Sequence, residues 1–286
     1  MATGTTEHID VTTADIFIGE NWSKQYIIAR EKLLIFSPTF THKYQADLKM
    51  GDTVHIPLVS NLTAQTKNTS SNAAVVFETV TETQVNLIIN TWRYNGIAVE
   101  TYTASLTNSD LMMAYAPKQA YAIAEAFDAA LAAFVDDFGT NIVGTLNQDL
   151  TYEDLLLARQ YLGDSLAPFM NRHICISPAQ EAGFLKIDQF ISGEYDRLAT
   201  LTASQAAAIG TWMGVPVHVS TNVEGSNAIG HDNSFHHEEA VGWAMSLEPT
   251  VHRMFDINYI ANKVVIEQGD GAIELRDNHG VWARGT

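Results

Sequence analysis

GDTVHIPLV (51–59), SNLTAQTKNTSSNAA (60–74) and VVFETVTETQVNLIINTWRYNGIAVE (75–100) together decide the kind of fold this chain adopts. In the first segment Val54, Ile56 and Leu58 alternate with their neighbours, the period-two pattern of a half-buried strand. The third resumes that alternation over Val85, Leu87 and Ile89. Between them lies a polar stretch with neither Gly nor Pro and one charge, Lys67. So long a featureless connection does not suit the interior of a compact domain. The pattern predicts a long β-hairpin whose tip projects from the body. A lone hairpin is marginal in water, so this one should rest on another chain.

The flanks fit an extended subunit. Residues 1–50 read as an arm with little core of its own and a short helix around NWSKQYIIAREKLLIF (21–36). Ala120, Ile123, Phe127, Ala130, Leu131, Phe134 and Phe138 fall at helical spacing, predicting a strut helix over 118–138 with Pro117 at its start or at a kink and Gly139 just past its end. Thr151 and Asp154 form an N-capping pair for the next helix, with Gly163 as its stop. RHICIS (172–177) and GVPVHVS (214–220) read as strands, and Pro178 opens a helix, so residues 151–249 make a compact α/β unit. NKVVIEQGDGAIELRD (262–277) reads as two strands joined by a turn at Gly269-Asp270-Gly271.

Composition narrows the function. The 286 residues carry 33 acids against 16 bases, a net charge of −17. No Lys or Arg occurs from Gln119 to Ala158 or from Leu198 to His252. Affinity for nucleic acid comes mainly from Lys and Arg neutralising phosphates, so tight binding of DNA or RNA is disfavoured. The one cysteine, Cys175, permits no internal disulfide and no cysteine-based zinc site. No apolar run is long enough to cross a bilayer, and MATGTTEHID (1–10) is not a secretory signal.

One stretch, HDNSFHHEEA (231–240), is dense in potential ligands: His231, Asp232, His236, His237, Glu238 and Glu239. It lacks the His-Glu-x-x-His spacing that puts two imidazoles on one helix face. His236 and His237 are adjacent and diverge in any regular structure, so both do not easily reach one ion. The bland reading is a polar loop leading into a strand, AVGWAM (240–245), with Val241, Trp243 and Met245 on one face. No activated-serine elbow, phosphate-cradling loop or dinucleotide fingerprint is present. Cys175 reads as a core thiol and Asp136-Asp137 as a solvated helix end.

The order of parts, with MGDTVHIP (50–57), IGTWMGVPVHVSTNV (209–223) and FHHEEAVGWAM (235–245), resembles the major capsid proteins of tailed bacteriophages. The resemblance covers most of the chain. It implies an α+β fold of the Hong Kong 97 type: an N-terminal arm (1–50), an extended β-hairpin loop (51–100), a spine helix and peripheral domain (101–150), an axial domain (151–249) and closing strands of the peripheral domain (250–286). It also implies a non-enzymatic coat subunit without cofactor or metal, assembling with itself as pentamers and hexamers around double-stranded DNA. The shell would form in the host bacterial cytoplasm with a separate scaffolding protein and a portal protein. Some members weld subunits through a Lys–Asn bond, for which Lys67 is the lysine placed to try. Two other readings stay open: a bacterial nanocompartment shell of the same fold, and a metal-dependent hydrolase using the His/Asp/Glu cluster of residues 231–239, with His231, His236, His237 and Glu238 as its metal candidates.

Overall fold

A computed structural model describes residues 31–47, 53–67, 74–106, 111–187 and 208–286. The arm reading for 1–30 and 48–50, and most of its helix, lie outside the described residues. The described chain begins as an extended segment and turns into the short helix α1 (Phe36–Thr39), followed by a 3-10 turn at Lys43–Asp47. The strands β1 (Thr53–Val59), β2 (Glu82–Ile88) and β3 (Thr91–Glu100) follow, then α2 (Thr101–Leu106) and the long helix α3 (Leu111–Ala132). Next come β4 (Ile142–Gly144), α4 (Tyr152–Asp164), β5 (Arg172–Ile176), α5 (Pro178–Phe184), β6 (Ala208–Trp212) and β7 (Val215–Val219). The two-residue β8 (Gly225–Ser226), β9 (Gly230–His237), β10 (Val241–Asp256), β11 (Ala261–Glu274) and β12 (Gly280–Gly285) complete it.

These strands form three sheets. β1 and β2 pair antiparallel, Thr53 opposite Ile88 through Val59 opposite Glu82. β10, β11 and β3 make an antiparallel sheet, and the third runs β4-β12-β9-β5-β7-β6 with β8 beside β9. Alternation along β5 sorts the third sheet's faces. Ile174 and Ile176 join Leu155, Ala158 and Leu162 of α4 in one core. Cys175 points into another core with Phe36, Phe40, Phe127, Leu131 and Phe138. The sheet is therefore covered on both sides, and each cover needs the sheet to bury its own apolar stripe.

Polar contacts seat the N-terminal segment on α3. Lys118 meets Glu31, Tyr121 OH bonds the backbone of Lys32, and Glu125 meets the Lys32 ammonium. One turn on, fully buried Asp128 accepts N–H groups from Ile35, Phe36 and Ser37 at 3.3, 2.9 and 2.9 Å. It also accepts the Asn222 side-chain amide at 3.0 Å. Positions 118, 121, 125 and 128 follow the three- and four-residue steps of one helix face. At the other end, buried Gln119 donates to the carbonyls of Asn95 and Val264, fastening α3 to β3 and β11.

Several expectations need correcting. Gly269-Asp270-Gly271 is not a turn: β11 runs straight through it. A Cβ on Gly271 would stand 2.2 Å from the Ile88 carbonyl oxygen, so the glycine permits close approach of the hairpin base. Asp270 is buried and takes both nitrogens of an Arg93 fork, locking β11 to β3. The real turn is residues 257–260, where Ile260 has φ of 46°. Residues 231–237 are not a loop but most of the central strand β9, buried between β12 and β5. The long helix runs 111–132, earlier than its apolar spacing suggested, with Pro117 inside it. α4 passes Gly163 and ends at Asp164, with Leu166 taking the positive φ. Of residues 51–100, β3 belongs with β10 and β11, not with the hairpin; of 250–286, β12 lies in the sheet of the 151–249 unit.

Asp128→Asn keeps the shape but turns an NH2 group toward the donors now received by one oxygen. It should cost about 2–4 kcal/mol, from buried donors left unpaired; chemical denaturation measures it, and a change near zero would mean the contact is not structural. Gly271→Val should prevent soluble folding, while Gly210→Ala, which meets nothing within 4 Å, should not; comparing their thermal melts checks the close-approach argument.

Candidate functional site

The ligand-rich stretch does not converge. Its strand geometry sends His236 and His237 to opposite faces. His236 lies against Phe40 and His173, at ring-centre distances of 4.5 and 6.0 Å. His237 meets His279 edge-on at 5.7 Å. His231, at the other end of β9, bonds Asn227, and Asp232 accepts the Trp282 indole N–H. Five residues of strand separate His231 from His236, roughly 17 Å. Glu238 pairs with Lys43. The His231–His236–His237–Glu238 set therefore makes no single ion site. Glu239 and His279 gather around His237 instead. No spacing rule reaches His279, because strands β10 and β11 intervene.

On the other face His218, His173 and His236 form a row across β7, β5 and β9. His173 Nδ1 and His218 Nε2 stand 3.3 Å apart. Burial, reinforced by neighbouring imidazoles, lowers His173 to about 4 and His236 well below the usual histidine range. Burial lowers His218 too. It likewise pushes the Cys175 thiol far up, so this cysteine is inert. Glu274 rises to about 7 through burial and the nearby carboxylates of Asp277 and Asp137.

The remaining candidates are surfaces. The hairpin base is held by its own chain, where Ile56 and Leu87 pack on Ala244 and Leu275. Its distal part is not: Val59, Leu62, Val75, Val76 and Phe77 are exposed, Phe77 by 89%. Lys67 lies exposed in this connection. On β3 the odd-numbered residues are half-buried while Trp92 and Tyr94 stand 71% and 74% exposed on the outer face. Trp92 donates to Glu267, which also pairs with His252 across the sheet. Between α3 and β10, Pro117, Ala120, Val251, Phe255 and Val264 line an open groove of about 680 Å³.

No protein-family model and no curated protein sequence matches the chain. Solved structures do. A chain of Mycobacterium phage Che8 superposes with a TM-score of 0.79 at 19% identity, over 93% of this chain and 97% of that one. The capsid structure of Cyanophage P-SCSP1u gives 0.76 at 14% identity, over 99% and 95%. The capsid of Ralstonia phage GP4 gives 0.69 at 11% identity, over 93% and 94%. The chain thus has a mixed helix-and-sheet fold of the phage capsid class. It shares that fold over nearly its whole length.

The buried histidine row makes an acid limb in stability. Each folded-state pKa lies below the unfolded value near 6.5, so the contribution is present above pH 6.5 and is lost as pH falls toward about 4 for His173. Denaturation midpoints should fall between pH 6.5 and 5, and His173→Gln should flatten that limb. Glu274, raised to about 7, pulls the other way over this range, so a His173→Gln variant that keeps the wild-type pH dependence is the result that would refute neutral burial.

Proposed function

We propose that this chain is the coat subunit of a tailed-phage shell, assembling as pentamers and hexamers into an icosahedral container for double-stranded DNA. The observation that carries the reading is near whole-length agreement with phage capsid structures, at TM-scores of 0.76 and 0.69. The surface favours it as well. An apolar hairpin end and an aromatic sheet face, left bare on one chain, are what a neighbouring subunit would cover. On this reading the segment beginning near residue 31 is the end of the arm, β1 and β2 are the extended loop, and α3 is the spine. The sheet around β9 is the axial domain, and β3, β10 and β11 belong to the peripheral one. A separate scaffolding protein, a portal protein and the packaged genome are the partners, with assembly in the host bacterial cytoplasm.

The acidic balance fits a container. Near the end of α3, Asp137 and Asp277 stand close enough to Glu274 to add to burial in raising its pKa, and Asp136 and Asp232 do the same to Glu224. Such a surface facing the lumen would repel DNA gently and not trap it. Lys67 is the lysine available for a covalent weld between subunits.

Electron microscopy and light scattering of the purified protein, with and without its scaffold, test the reading. Closed shells or rings of five and six are expected. Deleting residues 60–74 should leave the subunit folded by circular dichroism yet abolish shells. A persistent monomer or dimer would overturn the coat role, and shells loaded with a protein cargo in place of DNA would shift it to a nanocompartment.

A further inference from the structure

The geometry points to a zinc-type divalent cation site formed by His237, Glu239 and His279, a junction clamp independent of the shell reading. One ligand atom from each of the three residues lies within 4.8 Å of the others. Two imidazoles and a carboxylate are a donor set for zinc and neighbouring transition metals, not for magnesium or calcium, which prefer all-oxygen shells. A tetrahedral ion with bonds of about 2.1 Å wants its ligands roughly 3.4 Å apart. Rotation of the half-exposed Glu239 carboxylate can close that triangle.

A second observation points the same way. His279 is only 5% exposed, and its Nδ1 is buried without a hydrogen-bond partner. A buried polar atom left unpaired is costly, and a cation would satisfy it.

Two contacts compete with the ion. Lys43 Nζ holds Glu239 at 2.8 Å and Glu238 at 3.2 Å. The Glu239 N–H donates to His237 Nδ1 at 3.2 Å, so the ring must give up that contact or present its other nitrogen. Arg276 and Arg172 add positive charge nearby. Lys43 is exposed and its pairing is of the weak surface kind, and the N–H contact is long. The ammonium thus stands in for the cation at the carboxylate when metal is scarce. A bound ion would tie the end of β9 and the lead into β10 to the residues preceding β12.

The full-length protein, freed of metal by chelator and then dialysed against zinc, provides the test. About one zinc per chain should remain by elemental analysis, melting should rise with zinc and not with magnesium, and cobalt should give the intense visible bands of a tetrahedral complex. Glu239→Gln, at a part-exposed position that does not threaten folding, should weaken zinc retention at least roughly tenfold. His279→Gln should do the same if it folds. Lys43→Met, which removes the competitor, should tighten binding by roughly five- to tenfold. Zinc retained equally by wild type and Glu239→Gln, or no retention by wild type at micromolar free zinc, would overturn the proposal.

Discussion

Asp128 ties together three parts of the chain that lie far apart in sequence. Its two oxygens collect three backbone N–H groups from the turn into α1 and the amide of Asn222, which follows β7. A buried carboxylate is tolerable only when its lone pairs are filled, so the donors fix the carboxylate as firmly as it fixes them. Through this residue α3 is set against the segment from Glu31 and against the β5–β7 end of the large sheet. The core on that face follows, with Phe36 and Phe40 lying beside Cys175 and Phe127.

The second constraint is the passage from β9 to β10. The chain leaves the large sheet at His237, makes one 3-10 turn and enters the three-stranded sheet at Val241. Two sheets are thus joined with no linker to absorb relative motion. β10 compensates with register shifts between Met245 and Thr250, around Pro249, which bend it onto β11. Close packing at the junction also explains Gly242, where a Cβ would press on Leu275 at 2.8 Å.

Local signals were legible where local chemistry decides. The Thr151–Asp154 capping box, Pro178 opening α5, and the alternation through β1 and β2 all read directly from sequence. The failures share one cause, tertiary contact overriding a local cue. Gly-Asp-Gly carries a turn signature, yet Asp270 is claimed by Arg93 and Gly271 by the hairpin backbone. HDNSFHH looks like a polar loop, yet Ser234 and His236 pair with each other and Asn233 accepts the Ser177 N–H, which lets polar side chains line a buried strand. The gathering of His237, Glu239 and His279 was invisible for a related reason. It depends on β12 returning to the middle of the large sheet, and nothing in its residues announces that neighbour.

That return has a consequence in time. β12 lies between β4, more than a hundred residues earlier, and β9, so the centre of the large sheet stays open until residue 285 is available. Contacts this distant in sequence form slowly. During synthesis on a ribosome β9 would wait with one ladder edge unpaired, and an unfinished chain would carry that edge into solution. Translation through β12 is thereby a checkpoint on this sheet. Only a chain translated through β12 can close this sheet, and copies cut short of it are left with an unsealed edge on β9.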